Sequence, residues 1–292
     1  MRVTDNMRYN QVLYNLASLS SRQADAAQQA QTGSRVNAPS DDPVAAAELA
    51  RLSAAQSRVS ANRSTISSVR GDAELAESSL QQASDLLTSA KELATQGSND
   101  SLNASDRAAL AMQVKDLKDQ LLAVANTQGQ NGYIFGGSAT STQAFSSAGL
   151  FQGNDDAHTV DIGNSTPTTV SVSGAKAFTS AGGRDVFGDL DALYTALSSN
   201  DADGIRGTLT NLDTSRAQIN SAQAEAGAVL NKLDASDSVL SSVDLNNQQQ
   251  QSEVGAADPA QAYSNLNQLN NALTRSVTVA QQILSVGAYK TS

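Results

Sequence analysis

The chain of 292 residues contains no cysteine and no tryptophan, and only 4% of its residues are aromatic. Without cysteine it can form neither disulfides nor cysteine-ligated metal sites. The scarcity of aromatic side chains argues against a thick compact core, whereas the abundant small residues suit helices packed closely side by side. Basic residues are also few, so the formal net charge is −10. An acidic chain has no electrostatic reason to bind nucleic acid or an anionic membrane surface.

Long apolar runs are missing as well. No segment reaches the length of a membrane-spanning helix, so we expect no membrane insertion. The first sixteen residues, MRVTDNMRYNQVLYNL, lack the continuous apolar region of a secretory signal peptide. If the protein leaves the cell, we therefore expect a route that does not read a cleavable signal.

Two heptad repeats dominate what is present. A strict period of seven is typical of one helix wrapping along another. The first repeat predicts a helix of roughly 80 Å at 1.5 Å per residue, and the second provides a partner within the same chain. We therefore predict a mainly α, elongated bundle of long helices formed by both halves of the chain. The repeats are Leu52, Val59, Ile66, Ala73, Leu80, Leu87 and Ala94, then Ile205, Leu212, Ile219, Ala226, Leu233 and Leu240.

Start and stop signals divide the helical segments. Residues 1–32 read as an amphipathic helix that stops at Gly33, since glycine adopts the left-handed C-terminal conformation cheaply. Asp42-Pro43 and Asp258-Pro259 each place a capping carboxylate before a proline, which is a strong helix start. A return helix begins with Asn103 or Ser105 as its cap, carries a stripe from Leu110 to Val124 and ends before Gly129.

The middle of the chain has a different character. Residues 132–137 predict a short aromatic strand between glycines. Residues 158–162 and 168–172 alternate in polarity and predict two strands joined by a turn. We expect a small β-rich insert, close to the lower size limit for a core that stands alone.

No constellation of reactive residues indicates an enzyme. His158 is the single histidine and lies at a predicted strand edge, where a surface or turn role fits better than catalysis. Asn154, Asp155, Asp156 and Asp161 do not have the spacing of a calcium loop. Gly136-Gly137 is not followed by the Lys-Ser/Thr of a phosphate-binding loop. The sequence therefore predicts no catalytic residue, no metal site and no cofactor.

Several motifs resemble the hook–filament junction proteins of the flagellin superfamily. The resemblance covers most of the chain and is specific in its terminal thirds. Filament flagellins typically have Asp-Asp-Ala where this chain has Asp41-Asp42-Pro43, which favours the junction branch. The motifs that carry the resemblance are Thr32-Gly-Ser-Arg35, Asn37-Ala-Pro-Ser-Asp-Asp-Pro43, Gly132-Tyr-Ile-Phe-Gly-Gly137, Asp185-Val-Phe187, Leu190-Asp-Ala-Leu193 and Gly227-Ala-Val-Leu-Asn-Lys-Leu-Asp234.

The resemblance implies a structural subunit of the bacterial flagellum that joins the hook-associated region to the flagellin filament by helix packing. It implies self-association in a ring or tube, contact with a neighbouring hook-associated protein and with flagellin, and a flagellar export chaperone. It also implies an extracellular location, reached by type III export without a cleavable signal peptide. The alternatives are a filament flagellin and, from another class, a non-flagellar coiled-coil adaptor or adhesin.

The expected domains follow from this layout. Residues 1–42 and 250–292 form an inner polymerisation domain of terminal helices. Residues 43–135 and 186–249 form the long helical bundle, and residues 136–185 form the insert. The terminal apolar stripes can pair with each other in one molecule, or pack against neighbouring copies, and the resemblance implies the second. The expected assembly residues are Met7, Val12, Leu16, Leu19, Leu266, Leu269, Leu273, Val277 and Leu284.

Overall fold

A computed structural model describes residues 2–156, 158–163 and 167–288. Within them the fold is mainly α, and the predicted fold class is confirmed. The helices are α1 (Arg2–Thr32), α2 (Pro43–Gly97), α3 (Ala104–Ala125), α4 (Gly174–Phe178), α5 (Val186–Ser198), α6 (Ala202–Gly255) and α7 (Pro259–Ala288). In this part of the chain, no helix combines the length and the apolarity needed to cross a membrane.

Short strands form two antiparallel two-stranded sheets. Strand β1 (Gln128–Gly129) pairs with β2 (Gly132–Tyr133), and β3 (Thr159–Asp161) pairs with β4 (Pro167–Thr169). The predicted hairpin near residues 158–172 is thus confirmed, with Thr159 opposite Thr169. The aromatic strand predicted over residues 132–137 is wrong beyond Tyr133, because the chain turns there and Gly137 takes a left-handed φ of 70°.

The chain divides into two compact units. Unit 1 comprises Met1–Arg58 and Val243–Ser292, and unit 2 comprises Val59–Ser242. Unit 1 therefore joins two segments that are far apart in the sequence, whereas unit 2 is one continuous segment. The three-domain division expected from the sequence stays a prediction.

In unit 2, the predicted seam between α2 and α6 is buried. Polar pairs define its direction: Lys91 Nζ donates to Asp213 at 2.6 Å, and Gln223 Nε2 donates to Gln81 Oε1 at 3.0 Å. Ten residues forward on α2 are matched by ten residues back on α6, so the helices run antiparallel in constant register. The buried apolar seam residues are Val59, Ile66, Ala73, Leu80, Leu87, Ala94, Ile205, Leu212, Ile219, Ala226, Leu233 and Leu240.

Helix α3 adds a third helix to this seam. Asn103 rather than Ser105 is its cap, because the Asn103 side chain accepts a hydrogen bond from the backbone N–H of Asp106 at 2.9 Å. Helix α3 packs against α5, where Lys118 Nζ contacts both carboxylate oxygens of Asp191 at 2.6 Å. Of the predicted α3 stripe, Leu117 is partly buried, and the buried members are Leu110, Val114, Leu121 and Val124.

The insert shares its core with the helices. Four buried phenylalanines, two within the insert and one just outside each of its ends, form ring pairs with centroids 5.3 to 6.0 Å apart and belong to the same apolar cluster as Leu80 and Leu87. The segment is therefore not packed around a separate aromatic core, because these aromatic side chains belong to the core of the helical bundle. These phenylalanines are Phe135, Phe145, Phe178 and Phe187.

Helix α4 was not predicted from the sequence. It spans five residues, Gly174–Phe178, too few to show a helical period, and the Ser173 side chain caps it by accepting from Lys176 N at 3.2 Å. A single 3₁₀ turn follows at Ser180–Gly182. Both are held by Gln218 of α6, whose Nε2 lies within 3.1 Å of the carbonyl oxygens of Ala177, Thr179 and Arg184.

Two glycines of α2 provide a first test of the packing. A Cβ at Gly71 would meet no atom nearer than 3.9 Å, so Gly71→Ala should stabilise unit 2 by about 1 kcal/mol through backbone entropy. A Cβ at Gly97 would collide with the fully buried side chain of Leu197, so Gly97→Ala should cost about 1–3 kcal/mol. Urea unfolding measures both changes, and the same sign for the two variants would contradict this packing.

Candidate assembly surface

The terminal helices α1 and α7 pack against each other in unit 1. Ser34, just after α1, forms an isolated antiparallel β-bridge with Ala256, just before α7. Further along both helices, Gln23 Nε2 donates to Asn270 Oδ1 at 3.1 Å. The end of α1 thus lies beside the start of α7, and the two helices run antiparallel. We call them the terminal pair.

Backbone hydrogen bonds join the segment between α1 and α2 to the segment between α6 and α7. Arg35 N donates to Gly255 O at 2.7 Å, and Ala257 N donates to Gly33 O at 2.8 Å. Gly33 has a φ of 67°, which confirms it as the residue that ends α1 in the left-handed conformation. The connector after α1 and the connector before α7 are therefore fixed to each other by main-chain bonds, which do not depend on the buried area of the terminal pair.

Side chains also form hydrogen bonds in the segment between α1 and α2. Asp42 Oδ1 accepts a hydrogen bond from Ala45 N at 3.0 Å, which confirms Asp42 as the cap of α2. Arg35 contacts Asp42 Oδ2 through Nη1 at 2.9 Å and donates from Nη2 to Val254 O at 2.9 Å. The Ala45 N–H, followed by the Arg35 guanidinium, lowers the pKa of the Asp42 carboxyl below its usual value. Both groups favour the ionised carboxylate.

Asp258 starts α7 in the way its sequence predicts. Its Oδ1 accepts from Ala260 N at 2.8 Å, and Ala262 N donates to its backbone carbonyl at 2.9 Å. The proline at the first helical position, Pro259, has no N–H that would need a partner. Both proline-marked helix starts are thus confirmed.

The expected assembly residues fall into three groups. Met7 is 67% exposed and Val277 is 40% exposed. The side chain of Leu284 lies outside the described part of the structure, although its backbone belongs to α7. The others are half-buried along the terminal pair: Val12, Leu16, Leu19, Leu266, Leu269 and Leu273. Their role in assembly stays a prediction.

Sequence reasoning missed other exposed apolar side chains on the terminal pair. Tyr14 is 73% exposed and Tyr263 is 57% exposed. Tyr9 and Val279 are exposed too. The available signal was compositional, because three of the six tyrosines of a chain poor in aromatic residues lie on these two helices.

The seam of unit 2 differs from the terminal pair in the exposure of its apolar side chains. Leu80, Ile205 and Leu233 are each 0% exposed, although they follow the same kind of repeat as the terminal stripes. The terminal pair keeps large apolar side chains at its surface instead. Exposed apolar side chains of this size are available for contact with another protein.

The residues considered for chemistry have structural roles. Asp161 Oδ1 accepts from Gly163 N at 2.9 Å, Asn154 Oδ1 accepts from Ser138 N at 2.8 Å, and Asp155 accepts from the Ser173 hydroxyl. His158 N donates to Ser171 Oγ at 2.9 Å beside β3. Over the described ranges, no group of three or more acidic or histidine residues could hold a metal ion.

Known proteins resemble this chain in sequence and in fold. The family model of the bacterial flagellin N-terminal helical region matches residues 3–140. The chain is 29% identical to flagellar hook-associated protein 3 of Escherichia coli and to that of Salmonella typhimurium, covering 88% of this chain and 89% of each relative. The fold is also similar to a solved structure from Vibrio parahaemolyticus, assigned as a flagellar hook-associated protein. The match covers 74% of this chain and 100% of the Vibrio chain. Its TM-score is 0.69 at 24% identity, which shows likeness of fold.

The charge on Asp42 leads to a pH prediction. Because its pKa is lowered in the folded chain, its ionised form stabilises unit 1 above the unfolded pKa of about 4, and this contribution is lost as the pH falls through the folded pKa. Asparagine keeps the capping oxygen but carries no charge. Asp42→Asn should therefore lower the thermal midpoint of unit 1 at pH 7 and have no effect in strong acid.

Circular dichroism melts from pH 2 to 7 measure this difference. The variant Arg35→Gln should reduce it, because one of the two groups that favour the carboxylate is then absent. An equal gap between the wild type and Asp42→Asn at every pH would show that the charge is not involved.

Proposed function

We propose that the chain is a member of the flagellin superfamily and a structural subunit of the bacterial flagellum, which joins the hook-associated region to the flagellin filament. The match to the flagellin N-terminal region and the relatives named flagellar hook-associated protein 3 support this assignment. Asp42-Pro43 at the start of α2 supports the junction branch over a filament flagellin. The role is one of packing rather than of catalysis.

One observation carries the proposal of assembly through the ends. The terminal pair exposes Met7, Tyr14 and Tyr263, while seam residues of unit 2 on a similar repeat are fully buried. Burying this surface against neighbouring copies removes apolar area from water, which is the main driving force of association. The hydrophobic gain would then be obtained where the subunits join.

We assign the terminal segments, residues 1–42 and 250–292, to the inner part of a ring or tube. Residues 43–135 and 186–249 would form the helical bundle around it, with residues 136–185 as the insert. The neighbours along the flagellum would be another hook-associated protein and flagellin. The resemblance to the family supports export without a cleavable signal peptide, with a flagellar chaperone that keeps the terminal helices from associating early.

Deletion of the encoding gene tests the junction role. A junction subunit predicts hooks without filaments, together with flagellin released into the medium, because the filament has no base on which to grow. If the protein were instead the filament flagellin, the deletion would remove filaments with no flagellin in the medium. Intact filaments on the deleted strain, seen by electron microscopy, would contradict both.

Point variants test the assembly surface. Tyr14→Gln combined with Tyr263→Gln should abolish filament attachment in the complemented strain, while the free energy of unfolding changes by less than about 0.5 kcal/mol because both side chains are exposed. Met112→Gln is a matched control, since Met112 is 55% exposed on α3 of unit 2. Counting filaments per cell measures the effect. Normal filaments in the double variant would refute assembly through this surface.

A further inference from the structure

A polar residue interrupts the apolar repeat of α6 within unit 1. Every seventh residue from Ile205 to Leu240 is apolar and buried, and the next position in the series is Asn247. Asn247 is only 9% exposed. Among the residues that the structure describes, its Nδ2 is the one buried side-chain nitrogen or oxygen for which there is no hydrogen-bond partner.

The polar residues around Asn247 do find partners. Gln251, one turn further on, donates from Nε2 to Gln56 Oε1 of α2 at 3.1 Å. On the surface of α6, side chains four residues apart bond to each other: Gln248 with Asp244, Gln249 with Glu253, and Gln250 with Asn246. These bonds support the continuous helix to Gly255.

Buried polar side chains in unit 2 are also satisfied. Ser84 Oγ donates to Asn220 Oδ1 at 2.9 Å, Ser215 Oγ donates to Asp189 Oδ2 at 2.6 Å, and Thr208 Oγ1 donates to Ile205 O at 2.7 Å. A buried donor without an acceptor loses its bonds to water and gains none in return. Asn247 therefore weakens its layer of helix packing, and opening of that layer would return the amide to water.

We propose that Asn247 is a built-in weak point, at which the pairing of α2 and α6 in unit 1 opens locally while the seam of unit 2 stays closed. Few apolar layers join α2 to α6 in unit 1. In residues 43–58, which are the part of α2 within unit 1, Leu52 is the one large apolar residue that is buried. A polar residue at a heptad core position costs stability in long helical pairs. Local opening of this kind occurs without unfolding of the whole chain.

The test is amide hydrogen exchange on the purified full-length chain, read by mass spectrometry. Leucine has nearly the shape of asparagine and needs no hydrogen-bond partner, so Asn247→Leu should slow exchange about tenfold in residues 244–255 and 45–58. Exchange in residues 205–240 should stay the same. Asn246→Leu is the matched control, because Asn246 is the exposed neighbour of the same residue type.

Two results would overturn the proposal. One is equal exchange in Asn247→Leu and Asn246→Leu. The other is a wild-type chain in which residues 244–255 exchange as slowly as residues 205–240, a result that needs no variant and so holds even if Asn247→Leu fails to fold. The experiment uses free protein, so its failure leaves the flagellar role untouched, and failure of the flagellar role leaves the exchange result standing.

Discussion

The antiparallel pairing of α2 with α6 is the constraint on which unit 2 depends. Its buried layers supply the free energy, since each large apolar side chain removed from water contributes roughly 1.5–3 kcal/mol. Its ion pairs, Lys91 with Asp213, Arg63 with Asp237 and Arg70 with Asp234, are partly open to solvent and add little energy. They fit only one alignment of the two helices, however, so their effect is on the register. A slip of one residue would turn the apolar repeats away from each other.

Once that register is set, a few polar side chains hold the remaining segments in place. Arg107 of α3 is buried and donates to the carbonyl oxygens of Gly97 and Asn99 at 2.9 Å and to the Asn200 side chain, so one guanidinium fixes both the α2–α3 loop and the α5–α6 turn. Gln218 does the same for the segment from Ala177 to Arg184, and it also accepts a bond from Arg184 N at 2.8 Å. The insert needs no core of its own, because such bonds anchor its backbone while its phenylalanines enter the core of the helices.

The sequence predicted what is local and missed what is not. The heptad seams, the caps Asp42, Asn103 and Asp258, and the glycine stop at Gly33 each depend on a few neighbouring residues, and all are present. Gln218, Arg107 and the phenylalanine cluster depend on segments distant in the chain, and periodicity carries no information about them. The candidate site divides in the same way. The apolar stripes of α1 and α7 were predictable from the residue pattern. The pattern does not reveal which residues pack against a stripe, so the exposure of Tyr14 and Tyr263 became evident only in the folded structure.

In unit 1, the contacts that position the helices are different from the apolar side chains that remain available for contact with other molecules. In the seam of unit 2, the apolar surface that holds the helices together is buried by their pairing, so it is not available for such contact. In unit 1, main-chain bonds between residues 33–35 and 255–257, together with the contacts of Arg35 with Asp42 and Val254, fix the segments that connect α1 and α7 to the rest of the unit. These bonds require no apolar area, so the terminal pair can be positioned while Met7, Tyr14 and Tyr263 remain at the surface. The proposed assembly through the terminal pair requires this separation, because an apolar face already buried within the molecule has nothing left to contribute to assembly.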